Sequence, residues 1–139
     1  MKLTGAIVAL ATAALLVMLG LFSAGCGSNP ASVTLSADAD GSSVSLKPEQ
    51  ELVITLEGNP TTGYSWALVK VDKAVLAPVG EPAYQPSSTD STLVGGGGTY
   101  ELRFKAIAKG QTKLELGYGR SWETGVPSQK TFDLDVAVK

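Results

Sequence analysis

A chain of 139 residues, 44% of them apolar and 17% charged, is about one folded domain's worth. Its net charge of −2 carries no basic excess of the kind a nucleic-acid binder needs. The absence of histidine and the single cysteine exclude Ser-His-Asp and Cys-His machinery, His-containing zinc sites, CxxC motifs and any internal disulfide. No metal or other cofactor is expected, and the composition favours a binding module over an enzyme.

The first segment reads as an address. Met1 and Lys2 precede a run from Ala6 to Phe22 that only Thr12 and Gly20 interrupt, and Ser23-Ala24-Gly25 then leads into Cys26. A basic start, an apolar stretch and small residues before a cleavage point make a secretory signal. A retained membrane-spanning helix is the alternative, although the run falls just short of the ~20 apolar residues such a helix needs. The end of the run resembles a bacterial lipobox, with Ser23 where leucine is commonest. That resemblance implies a signal peptide over 1–25 and lipidation of Cys26, giving an exported protein anchored to a membrane on its periplasmic or extracellular face. Residues 26–32 then form a short tether, its Gly-Ser-Asn-Pro composition resisting helix and strand.

The domain proper, 33–139, reads as strands. Apolar residues alternate with polar ones at Leu52, Ile54 and Leu56; at Tyr64, Trp66 and Leu68; at Tyr100, Leu102, Phe104 and Ala106; at Leu114, Leu116 and Tyr118; and at Phe132, Leu134, Val136 and Val138. Weaker candidates lie at Val33–Leu35 and Val44–Leu46. After Cys26 no sustained helical period occurs. About seven short strands separated by Gly/Pro turns predict an all-β, immunoglobulin-like antiparallel β-sandwich of Greek-key connectivity. In such a sandwich alternate connections share one end, so loops after the second and penultimate core strands are predicted to be neighbours.

Three of the connections have unusual compositions. Asn59-Pro60-Thr61-Thr62-Gly63 joins the Leu56 strand to Tyr64. Gly95-Gly96-Gly97-Gly98 closes a long connection punctuated by Pro78, Pro82 and Pro86. Gly119-Arg120-Ser121-Trp122-Glu123 follows the Tyr118 strand. Each has an ordinary reading: Asn-Pro and Thr-Gly form turns, and glycine runs are flexible links. Trp122 fits that reading least, because a tryptophan off the strand alternation beside Arg120 has the make-up of an interface hot spot. Trp66, on the apolar phase, is assigned to the core.

Taken together, Asn59-Pro60-Thr61-Thr62-Gly63-Tyr64, the glycines 95–98 and Arg120-Ser121-Trp122 resemble, in order, the three loop motifs of the chagasin-like inhibitors of papain-family cysteine proteases. The resemblance runs from about Val44 to the end of the chain. Ser121 stands where that family has proline. It implies a reversible, competitive, non-covalent inhibitor whose three loops occlude a protease cleft: the Thr61-Thr62 pair nearest the catalytic cysteine, the glycine backbone on the unprimed side, and Arg120 and Trp122 on the primed side. The expected partners are such a protease and, through Cys26, a membrane. The chain is expected to be a monomer. Two other classes compete: an immunoglobulin-like adhesive or structural lipoprotein module, and an enzyme built on carboxylates such as Glu101 or Asp133, which fall on the solvated strand phase.

Overall fold

The computed structural model of the chain describes residues 31–87 and 95–139, so the predicted signal segment and Cys26 lie outside the described residues. The alternating segments become strands β1 (Val33–Ser36), β2 (Ser42–Leu46), β3 (Glu51–Gly58), β4 (Tyr64–Lys70), β5 (Leu76–Pro78), β6 (Ala83–Pro86), β7 (Gly98–Ala106), β8 (Gly110–Arg120) and β9 (Lys130–Val138). They form two facing sheets. One has the order β1-β3-β7-β5, with β6 also on β7; the other runs β2-β9-β8-β4.

Period-two alternation decides which side of each strand is buried. Leu52, Ile54 and Leu56 of β3 and Tyr100, Leu102 and Phe104 of β7 point inward from one sheet. Trp66 of β4, Leu114 and Leu116 of β8, and Phe132, Leu134 and Val136 of β9 answer from the other. Each fully buried Leu, Ile or Phe contributes about 1.5–3 kcal/mol of transfer free energy. Among the described residues the whole core lies within 33–138, so the segment 26–139 carries all of it. On the outer face Arg103 lies between Glu51 and Glu101, pairing with both, which accounts for polar residues on that phase. Glu101 and Asp133 lie on different sheets, so they do not constitute a carboxylate pair.

The sandwich is all-β as the alternation predicts, and it differs in detail in two ways. Its sheets are mixed: β1 runs parallel to β3, and β2 runs parallel to β9, at the edges. A turn at Ala37–Ala39 carries the chain from one sheet to the other, and Asp40 Oδ1 fixes the crossing by accepting from the Asp133 amide at 2.8 Å. The long proline-spaced connection also contains β5 and β6, which pair with successive stretches of β7 as one broken edge strand. The break spans Gly80, at φ +68°, and Pro82. Proline is tolerated there because an edge strand has no second neighbour to receive its missing N–H.

Strand direction gives the molecule two distinct ends. β3 ends and β7 starts at one of them, where Gly58 faces Gly98; β8 ends and β4 starts there too, where Arg120 faces Tyr64. At the opposite end lie the turns at 47–50, 71–75 and 107–109 and the start of β1, where Val33 faces Leu52.

Candidate functional site

The first of these ends holds all three unusual connections. The β3–β4 turn crosses between the sheets and so bridges the other two. Asn59 caps a single 3₁₀ turn over Pro60–Thr62: its Oδ1 accepts from the Thr61 amide at 3.1 Å and from the Thr61 hydroxyl at 2.6 Å. The Thr62 hydroxyl donates to the Asn59 carbonyl at 2.7 Å, and Gly63 N–H closes the turn on the Pro60 carbonyl at 3.0 Å. Gly63 sits at φ +81°, in the left-handed region that glycine enters without penalty. Both threonine hydroxyls are thus committed to the turn itself, and Pro60 fixes its own φ.

Two hydrogen bonds tie this turn to its neighbours. Asn59 Nδ2 donates to the Gly95 carbonyl at 2.9 Å, and Arg120 Nε donates to the Thr62 carbonyl at 3.2 Å. The Arg120 guanidinium also lies 4.5 Å from the centroid of the Tyr64 ring and meets the Glu123 carboxylate at 3.2 Å. Arg120 is therefore a brace within the molecule and the last residue of β8, rather than a free loop side chain. Trp122 lies against Gly63, where any Cβ would collide with the indole, yet the ring remains 65% exposed.

The glycines of the second segment have separate reasons. Gly95 adopts φ +89°. Gly98 belongs to β7, where a Cβ would strike the Gln85 carbonyl oxygen and the Tyr84 ring. At Gly96 nothing lies within 4 Å of an added Cβ, and at Gly97 only ordinary contact with the Gly58 carbonyl oxygen, at 3.5 Å, would arise. Among the described residues no packing contact demands glycine at 96 or 97; both residues are exposed, and their carbonyls are taken up within the domain, Gly97 accepting from the Ser87 amide at 3.1 Å and Gly96 from the Tyr84 hydroxyl at 3.4 Å.

Beneath the three segments lies an aromatic support of which the sequence reading placed only Tyr64 in the site. Tyr118 stacks on Tyr64 at 5.5 Å and contacts Trp66 at 5.3 Å, while Tyr84 meets Tyr100 at 5.1 Å. Gly58 lies against the Tyr100 and Tyr118 rings; a Cβ there would come within 2.6 Å of the first and 3.1 Å of the second. The Tyr118 hydroxyl accepts from the Asn59 amide at 2.8 Å, and the Trp66 indole donates to the Glu57 carbonyl at 3.0 Å. Burial, and then the neighbouring Tyr118 and Tyr84, raise the pKa of Tyr100, whose hydroxyl donates to the Tyr64 carbonyl at 3.3 Å. The clue in sequence is a tyrosine at the loop-facing end of three alternating runs, Tyr64, Tyr100 and Tyr118, since a buried phenol needs a polar partner.

A sandwich presenting three loops at one end, the first bonded to each of the other two, has the architecture of a protein-binding module. Comparison with known proteins narrows the class. The model of the chagasin family of peptidase inhibitors, I42, matches residues 45–136. Amoebiasin-1 from Entamoeba histolytica is 29% identical over 107 residues, 77% of this chain and 100% of that protein. The crystal structure of EhICP2, a cysteine protease inhibitor from the same organism, aligns with a TM-score of 0.67 at 23% identity, covering 78% of this chain and 96% of that one. PbICP-C, solved in complex with falcipain-2, shares the fold at a TM-score of 0.55 and 20% identity, over 80% of this chain and 92% of its own. The chain belongs to the chagasin family of peptidase inhibitors, whose members inhibit proteases and are not enzymes.

Proposed function

We propose that this protein is a reversible, competitive, non-covalent inhibitor of papain-family cysteine proteases, with Asn59–Tyr64, Gly95–Gly98 and Arg120–Trp122 filling the active-site cleft. The observation that carries this reading is the bonding of Asn59 to Gly95 and of Arg120 to Thr62, which joins the three segments into one edge. The complex of the fold relative PbICP-C with falcipain-2 supports the choice of partner.

The mechanism is steric and depends on pre-organisation. Ordering a side chain on binding costs about 0.5–1.5 kcal/mol, and an Asn59–Gly63 turn that is already hydrogen-bonded avoids much of that cost. Thr61 and Thr62 enter the slot beside the catalytic cysteine with their hydroxyls satisfied, offering small branched surface and no scissile geometry. Gly96 and Gly97, exposed and without side chains, let the substrate-binding backbone of the cleft approach closely. Trp122 supplies the aromatic anchor. Replacing the family proline by Ser121 frees one φ and weakens binding by about 0.4–1 kcal/mol, less than tenfold.

The segment 26–139, titrated into active papain, is expected to abolish hydrolysis stoichiometrically and to release full activity on dilution. Full papain activity at micromolar inhibitor would end the proposal. Cys26 is proposed as the lipidated first residue of the mature protein, holding an exported monomer at a membrane surface. A mass spectrum of the mature N-terminus showing diacylglyceryl on that cysteine is the expected result, and an unmodified thiol would remove the anchor.

A further inference from the structure

The end of the sandwich opposite the loops has a character of its own. Among the described residues every lysine except Lys130 lies in that half: Lys47, Lys73 and Lys109 in its turns, Lys139 just beyond β9, and Lys70, Lys105 and Lys113 near the strand ends. Lys105 is paired with Glu49 at 2.6 Å, and the Asp72 carboxylate caps the Ala74 amide at 3.0 Å. Lys47, Lys73, Lys109 and Lys139 are all exposed, and none of them forms an ion pair among the described residues. Beside Lys109 the large apolar side chain of Ile107 is also exposed. The strand lysines are each matched at their own register position by an acid, Lys105 by Glu51, Lys113 by Asp135 and Lys70 by Glu115, so they add no excess charge. The excess positive charge of this end therefore lies in its turns, where Lys47, Lys73, Lys109 and Lys139 outnumber Glu49 and Asp72.

The chain enters the domain at the basic end. β1 starts there, Val33 facing Leu52, and Gln50 Nε2 donates to the Ala31 carbonyl at 2.6 Å, fixing the entry point beside the turn that carries Lys47. Six residues lie between Cys26 and Val33, so the two are at most roughly 25 Å apart at about 3.5 Å per residue step. A tether that short confines the basic end to within about two or three Debye lengths of anything attached at Cys26. Clusters of four or more lysines brought from that range to within about one Debye length are attracted to anionic lipid headgroups, and confinement makes even a weak attraction effective.

The geometry points to the lysine-bearing end as a surface that seats on an anionic phospholipid bilayer, with Ile107 at the headgroup boundary and the three loops held a full strand length away, facing outward. This rests on the reading of Cys26 as the anchor point, and it adds an orientation: the inhibitory edge is presented to soluble proteases rather than buried against the membrane.

The test supplies the anchor chemically. The segment 26–139, whose only cysteine is Cys26, is coupled to a maleimide lipid in vesicles of either phosphatidylcholine alone or phosphatidylcholine with phosphatidylglycerol. Amine labelling followed by mass spectrometry then compares each lysine with Lys130. On anionic vesicles Lys47, Lys109 and Lys139 are expected to label at least threefold more slowly relative to Lys130 than on neutral ones. That protection is expected to vanish in high salt and, at the remaining Lys139, in a Lys47→Glu, Lys109→Glu variant. Equal labelling of all lysines on anionic vesicles overturns the assignment. So does equal protection of the same lysines by a soluble anionic polysaccharide without vesicles, which would assign the surface to a polyanionic polymer instead. Because the coupling is chemical, a failure of natural lipidation leaves this result readable, and papain inhibition on the same vesicles reports separately on the loops.

Discussion

The two ends of this sandwich are built by opposite means. At the loop end, glycines and aromatic rings are close-packed, and polar groups are paired with one another: Asn59 with Thr61 and Gly95, Arg120 with Thr62, Tyr118 with the Asn59 amide. At the far end the turns are short and open, and their lysines face solvent. The first construction fixes a shape before any partner arrives; the second fixes only a charge. Shape-fixing costs are avoided at binding, so the loop end suits tight recognition, while a diffuse charge suits orientation over a surface.

Substitutions can break this contrast, beginning with the largest expected effect. Gly63→Val forces a branched residue into φ +81° and drives the Trp122 indole from its seat. Left-handed backbone costs about 1–2 kcal/mol for non-glycine residues. With the hot-spot contribution lost as well, the inhibition constant for papain should rise several hundredfold; a rise of less than tenfold would mean that the loops are not one unit. Trp122→Ala should cost about 2 kcal/mol of binding, near 30-fold, because an exposed aromatic anchor is removed. Thermal unfolding of the same variant should shift by less than ~2 °C, since the ring is mostly outside the core. Asn59→Ala removes the cap of the first turn and its bond to Gly95, lowering stability by about 0.5–2 kcal/mol in chemical denaturation and weakening inhibition roughly tenfold. Ser121→Pro should tighten inhibition two- to fivefold by restricting the third loop, with no change in fold.

Much of this contrast was legible in sequence, and the rest was hidden for identifiable reasons. The alternation at Leu52–Leu56, Tyr100–Ala106 and Phe132–Val138 gave the core strands, because inward positions must be apolar at period two. Trp66 is buried, as its phase requires. β5 and β6 escaped notice because Pro78, Gly80, Pro82 and Pro86 interrupt any alternation, and each piece pairs over only three or four residues. The parallel edges at β1 and β2 could not be read, since alternation reports a strand's faces and not its direction. Within the site, the unusual compositions at Asn59–Gly63, Gly95–Gly98 and Arg120–Trp122 drew attention to the loops. Their support did not: Gly58 looks like any strand-end glycine, and Tyr118 reads as one more core aromatic until its hydroxyl is found under the Asn59 amide. Arg120 looked like a contact residue, and only the structure shows it stacked on Tyr64 and bonded to Thr62.

The central claim is that a preformed three-loop edge competes with substrate for a protease cleft. Steady-state inhibition of papain by the 26–139 segment, measured across a range of substrate concentrations, tests it most directly. The account predicts an apparent inhibition constant that climbs in proportion to substrate, with the same slope for the Lys47→Glu, Lys109→Glu variant. An apparent constant that stays flat as substrate rises would contradict it.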